Sequence, residues 1–272
     1  MTEDTAAHAF ITRWRGVQAS ELATAQSFVI ELCALLGVDK PHPTLEQGYM
    51  FERPVGFAHR DGTQSAGRID CYKRGHFVLE AKKLKAASHT KGFDDGMIRA
   101  HAQAQGYMRA LPAAEGRPPF ILVVDVGTVI EVYAEFSQSG GTYTPFPDPR
   151  SFRIRLDDLA DPAVQAQLRR IWQDPASLNP AHISARVTRQ VSGLLARLAK
   201  SIESNPVYEQ NKPLALVNKA QVAPEHVAYF LTRCLFSMFS EDVGLLPKEA
   251  FIGLLKTHRA EPPTLRLMLQ SL

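Results

Sequence analysis

Cysteine is nearly missing: the chain of 272 residues has 3, far apart and odd in number. Cys33, Cys71 and Cys234 therefore supply neither a disulfide framework nor the paired spacing of a zinc ribbon or finger. Long apolar runs are missing too, since nothing approaches the roughly 18 uninterrupted apolar residues of a membrane span. The first thirty residues contain no basic segment leading into an apolar core, so we expect a cytoplasmic chain in a reducing compartment, with no membrane partner. Charge of one sign is also scarce. The 31 basic and 28 acidic residues leave a net +3, too little to name a nucleic-acid partner from the sum alone. There is no G-x-x-x-x-G-K-[ST] loop and no strand followed by G-x-G-x-x-G, which argues against ATP-driven translocation within this chain. The nine histidines show no H-E-x-x-H or Cys/His ligand spacing, and no Ser-His-Asp constellation can be argued.

What is present is an ordinary globular balance, 45% hydrophobic and 22% charged, enough for one large domain or two modest ones. Residues 6–15 and 20–36 have helical spacing; in the second, Leu22, Ala25, Phe28, Val29, Leu32 and Leu36 form one stripe that Gly37 ends. Three β-rich segments follow, "YMFERPVGF", "RIDCY" and "HFVLEAK", separated by turn-forming residues, and predict an antiparallel meander. A helix is expected from Asp94 to just before Pro112. "PFILVVDVGTVIEVYAEF" then predicts two strands parted by "DVGT", the first apolar enough to be covered on both faces. From about residue 156 the periodicity is helical almost throughout. This gives an α/β domain over 1–155 and an all-helical domain over 156–272.

One stretch, "GRIDCYKRGHFVLEAKKLK" (67–85), carries more charge than a hairpin needs. If 76–82 is a strand, Val78, Glu80 and Lys82 share one face and Phe77, Leu79 and Ala81 the other. A hairpin brings Asp70 toward Glu80, and two carboxylates so close call for a cation between them. A divalent metal is the economical choice. Mg²⁺ on carboxylates and water suits phosphodiester hydrolysis, and a nearby lysine can steady the attacking water or the growing charge. A solvated face with cross-strand ion pairs is the competing account of the same three residues.

The order of elements tips the balance toward the metal site. A helix, a meander carrying Asp and then Glu-x-Lys, a helix and a buried strand resemble the restriction-endonuclease-like PD-(D/E)XK core, a mixed sheet flanked by helices. "IDCYKRGHFVLEAKK" resembles the Asp, nine residues, Glu-x-Lys motif of the amino-terminal endonuclease domain of MmeI-type enzymes, single chains that fuse nuclease, adenine methyltransferase and target recognition. "FITRWRG" and "AQSFVIELCALLGV" are similar to that family's opening helices, and "HVAYFLTRCLFSMFSEDVGLLP" to its helical spacer, with Phe230, Leu231, Cys234, Leu235, Met238 and Phe239 expected as core. The resemblance implies Gln103 and Tyr107 as the Gln-x-x-x-Tyr helical motif, one turn apart, with Arg99 on the same face. It also implies a metal carboxylate from the first core helix, for which Glu21 and Glu31 are candidates.

The resulting expectation is a Mg²⁺- or Mn²⁺-dependent DNA endonuclease domain and spacer, the amino-terminal part of a fused restriction-modification or phage-defence methyltransferase. Asp70 and Glu80 would hold metal, with Glu21 as a third ligand, and Lys82 would act on water. Gln103 and Tyr107 would support the site, while Lys73, Arg74, Lys83, Lys85, Lys91 and Arg99, with His89 nearby, would meet DNA phosphates. Double-stranded DNA, methyltransferase and target-recognition domains and a second copy on DNA are the expected partners. S-adenosylmethionine would belong to those further domains; "NPVY" at 205–208 lacks the second Pro of a methyltransferase Asn-Pro-Pro-Tyr motif and reads as a linker turn. The alternative that stays open is a catalytically silent nuclease-like module that binds DNA or assembles a methyltransferase.

Overall fold

The computed structural model describes residues 3–17, 21–42, 48–58, 63–85, 88–204, 224–247, 249–261 and 264. The chain divides into two compact units, Met1–Ile183 and Ser184–Leu272. The first contains α1 (Glu3–Trp14), α2 (Glu21–Leu36), β1 (Tyr49–Ala58), β2 (Gln64–Lys73), β3 (Phe77–Lys82), α3 (Lys91–Ala110), β4 (Phe120–Asp125), β5 (Val129–Ala134), β6 (Thr144–Pro145), β7 (Arg153–Arg155) and α4 (Pro162–Gln173). Helix α5 (Pro180–Ser204) runs across the division, and α6 (Pro224–Asp242) and α7 (Ala250–Thr257) follow. The expected architecture is therefore present: a mixed seven-stranded sheet flanked by helices, then a helical part.

The strands are ordered β1-β2-β3-β4-β5-β6, with β7 also paired to β5. All pairs are antiparallel except β3 with β4, which α3 joins as the crossover that a parallel pair requires. Thr90 caps α3 by accepting the Phe93 N–H, and Pro112 follows Leu111 at its end. β4 is buried at every position, as its apolar run predicts. Phe77, Leu79, Ala81, Phe120, Leu122 and Val124 join the core formed with α1, α2 and α4; Val78, Ile121 and Val123 join the one beneath α3.

Although the periodicity changes near residue 156, the first compact unit continues to Ile183. Leu156, Leu159, Leu168, Ile171, Trp172 and Leu178 pack into the sheet's own core, with the Trp172 ring 4.5 Å from Phe77. A change of element type thus precedes the change of compact unit.

The β1-β2 hairpin is not a simple pleat. Tyr49, Phe51 and Cys71 belong to the core on the α1/α2 side, whereas Val55, Phe57 and Ile69, of the same parity, belong to the core beneath α3. Both strands exchange faces at the level of Glu52 and Asp70, which lie between the pairs Phe51↔Cys71 and Arg53↔Ile69. Glu52 is in the left-handed region at φ 52°, a conformation that breaks the two-residue alternation. In the second unit, Val227 is buried, whereas Phe230 and Phe239 are 46% and 58% exposed, and Leu235 and Met238 are exposed as well. The expected α6 core stripe is not packed away among the described residues.

Candidate active site

β3 alternates as its sequence requires. Phe77, Leu79 and Ala81 enter one core, and Glu80 and Lys82 face the α3 side, where Lys82 Nζ lies 2.7 Å from Glu80 Oε1. Glu80 is 1% exposed, so its charge is held in a poorly solvated place by that ammonium. The β2-β3 ladder runs from Lys73↔Phe77 to Cys71↔Leu79. Beyond Cys71 a side chain takes over: Asp70 Oδ2 accepts the Ala81 N–H at 2.7 Å. The regular ladder ends there, with the Asp70 carboxylate bound to the main chain between Glu80 and Lys82.

Tyr107 and Gln103 belong to α3, and Gln103 Nε2 donates to Tyr107 Oη at 2.8 Å. Burial pushes the Tyr107 hydroxyl up; Glu80 and Asp70 push the same way, against Gln103 and Lys82. The three strand residues among these neighbours, Asp70, Glu80 and Lys82, tie the helix motif electrostatically to the strand motif. Gly67 makes the approach possible, since a Cβ there would sit 2.8 Å from Tyr107 Cε1 and 2.9 Å from Phe57 Cε2.

A cavity of about 140 Å³ opens on the other side of Asp70, lined by Ala25, Gln26 and Val29 of α2 with Phe51 and Glu52 of β1. Of the two candidates for a helix carboxylate, Glu31 is committed elsewhere, to Arg13 at 2.9 Å and to the Trp14 indole N–H at 2.9 Å. Glu21 opens α2, but its side chain lies outside the described residues. Among the described residues no three His, Cys, Asp or Glu side chains cluster as a self-sufficient metal site. Asp70 and Glu80 nevertheless fit Mg²⁺, which usually takes one or two carboxylates and completes its shell with water and substrate phosphate.

The expected phosphate contacts fall into two groups. Lys85, Lys91 and Arg99 are exposed, as is His89. Lys73 and Lys83 are built into the fold instead: Lys73 Nζ donates to Trp172 O at 2.6 Å and lies 4.9 Å from the Tyr49 ring centre, and Lys83 Nζ donates to Val126 O at 2.8 Å. Burial lowers the Lys73 ammonium. Lys73 pairs with Phe77, five residues or about 16 Å along β3 from Lys82, so it and exposed Arg74 sit at the far end of the strand. The segment 205–208 lies outside the described residues.

Sequence reasoning missed a second polar group on the same face. Glu131, 1% exposed, accepts from Arg153 at 2.6 Å and from the Tyr133 hydroxyl at 2.7 Å, while Arg153 also reaches Asp94 at 2.9 Å. Asp125, 2% exposed, accepts the Leu84 N–H at 2.7 Å and fixes the chain just past Lys82. A lone Glu inside the apolar run "VIEVY" was the available signal, because such a charge demands a partner.

No helix among the described residues is long and apolar enough to cross a membrane. The family model described as MmeI, N-terminal domain matches residues 5–205, and that described as MmeI, helicase spacer domain matches residues 225–272. No curated protein and no solved structure matches the chain. With the first match alone covering more than half of its length, the chain belongs to the MmeI amino-terminal domain family and is the domain-and-spacer region of a restriction-modification enzyme.

Proposed function

We propose that this chain is the metal-dependent endonuclease part of that enzyme and hydrolyses DNA phosphodiester bonds. The observation that carries the reading is that Asp70 accepts the N–H of Ala81, the residue between Glu80 and Lys82, while Lys82 Nζ lies 2.7 Å from the Glu80 carboxylate, which is 1% exposed. Asp70 and Glu80 would hold Mg²⁺ or Mn²⁺, which when bound lowers the pKa of water and offsets phosphoryl charge. Lys82 holds the attacking water by hydrogen bonding and stabilises the charge that grows on the phosphoryl oxygens. Water adds to phosphorus, the bond to the 3′ oxygen breaks, and the 5′-phosphate remains on the product. Tyr107, oriented by Gln103, donates to a phosphoryl oxygen.

Exposed Lys85, Lys91, Arg99 and Arg74 supply sequence-neutral backbone contacts. Target readout and S-adenosylmethionine chemistry belong to methyltransferase and recognition domains of a longer chain or complex, and cutting both strands calls for a second copy on DNA. Incubating supercoiled plasmid with Mg²⁺ or Mn²⁺ tests the reading, using the longest natural chain beside this one. Cutting that needs metal and disappears in folded Lys82→Ala supports it. Full cutting by folded Lys82→Ala, or metal-independent DNA binding without cutting by either chain, would replace it with a DNA-binding module.

A further inference from the structure

The strand register draws two rows across the sheet. Glu80 pairs with Val123, Val123 with Glu131 and Glu131 with Arg153; one pleat on, Lys82 pairs with Asp125, Asp125 with Val129 and Val129 with Arg155. Residues in register share a face, so both rows stay on the α3 side. Three strand spacings of about 4.8 Å put β7 about 14 Å from β3. Arg153 is therefore level with Glu80, and Arg155 with Lys82.

Two adjoining clefts open at β7. One, of about 440 Å³, is lined by Arg15, Ser88, His89, Thr128, Arg153 and Arg155; the other, of about 470 Å³, is lined by Arg150, Arg153 and Arg155 beside Asp94 and Glu131. Arg153 and Arg155 border both, making one trough. Four arginines from two stretches of the chain, Arg15 and residues 150–155, converge on it, against Asp94, Glu131 and Asp157. Asp94 and Glu131 are both taken up by Arg153, which they lock as a post, and Asp157 pairs with Arg15. Asp148 and Asp158 each turn a carboxylate oxygen to the main-chain N–H of Arg150 and Arg155. The Arg150 and Arg155 side chains are exposed.

We propose that this trough binds the sugar-phosphate backbone of duplex DNA beside the scissile phosphate, with Arg150 and Arg155 as phosphate contacts and Arg153 as the post that fixes β7. The inference rests on the nuclease reading for the position of the scissile phosphate. A guanidinium presents paired donors that match phosphate oxygens. At about 3.4 Å per base pair, 14 Å spans roughly four steps from the cut, a distance at which a backbone contact orients the duplex without reading its sequence.

The test measures duplex DNA binding by fluorescence anisotropy, with Ca²⁺ in place of Mg²⁺, across a salt series. Wild type, Arg150→Ala/Arg155→Ala and Arg189→Ala, an exposed residue of α5, are compared. We expect the double variant to bind roughly tenfold or more weakly and its log-log salt slope to fall by about 2, with Arg189→Ala like wild type. Unchanged affinity and slope in the double variant, an equal loss in Arg189→Ala, or no duplex binding by wild type overturns the trough. A parallel plasmid assay keeps the two readings apart. Lys82-dependent cutting with an unchanged slope removes the trough alone, whereas a reduced slope with cutting indifferent to Lys82→Ala removes the nuclease alone.

Discussion

Glu80 and Glu131 are both 1% exposed, both face α3, and each lies beside a cation, Lys82 at 2.7 Å and Arg153 at 2.6 Å. Their surroundings differ. Glu131 is held by a guanidinium that a second carboxylate, Asp94, also grips, and by the Tyr133 hydroxyl; Arg153 thereby joins β5, β7 and α3. Glu80 has another carboxylate, Asp70, bound to the main chain beside it, where the regular ladder ends. The first arrangement adds a guanidinium and a hydroxyl donor to a buried charge, while the second adds a like charge, which favours an ion or a substrate but not the fold. A buried glutamate on a strand is thus a stability device or a chemical one according to what faces it.

The comparison breaks most sharply by mutation. Asp70→Asn keeps an oxygen that can accept the Ala81 N–H yet removes one negative charge, so we expect DNA cleavage to fall about 10³-fold or more while Tm is kept or raised. Glu131→Gln should do the reverse. It leaves Arg153, about one third exposed, with Asp94 as its remaining carboxylate and costs about 2–3 kcal/mol in chemical unfolding, while the cleavage rate of the folded enzyme at saturating DNA, where a loosened β7 no longer limits binding, changes little. Equal losses of stability in the two variants, or equal losses of cleavage, would end the distinction.

Much of the chemical half of this comparison is legible in the sequence. Asp70, Glu80 and Lys82 stand out because period-2 spacing puts charges on a strand face that has no need of them, and the connection between β2 and β3 is short enough to fix their pairing. Helix α3 and the fully buried β4 are legible for the same kind of local reason. The structural half is not. β7 has three residues, too few for any alternation to declare a strand, and it carries the arginine on which Glu131 depends. The exchange of faces at Glu52 is equally silent, because nothing in "FERPV" announces a positive φ on a glutamate. Lys73 looks like any basic turn residue until Trp172, 99 positions away, turns its carbonyl toward it.

The site side of the comparison sharpens at Gly67. A methyl group there meets the Tyr107 and Phe57 rings at under 3.0 Å, so Gly67→Ala should cost about 1–3 kcal/mol and also slow cleavage by moving the Tyr107 hydroxyl. Adding Phe57→Leu makes room on one side of the methyl group. Recovery of Tm and cleavage together in the double variant marks Gly67 as the seat of Tyr107; recovery of Tm alone assigns it a packing task.

The smallest effect belongs to the structural side. His101 stacks on Tyr133 at 3.8 Å, and burial lowers its imidazole from 6.5 to about 4, so the folded ring stays neutral through the mildly acidic range. The unfolded chain takes up its proton as pH falls below 6.5, whereas the folded chain does so only near 4. Stability is therefore present above about 6.5 and is lost as pH falls toward 4. Because the ring is partly solvated, the loss should be on the order of 1 kcal/mol rather than the full value the shift implies. Urea unfolding at several pH values should show this slope in wild type and a flatter one in His101→Gln, which does not titrate. If the slope survives in His101→Gln, the acid sensitivity lies in the carboxylates, and the network around Tyr133 is indifferent to protonation of its stacking partner.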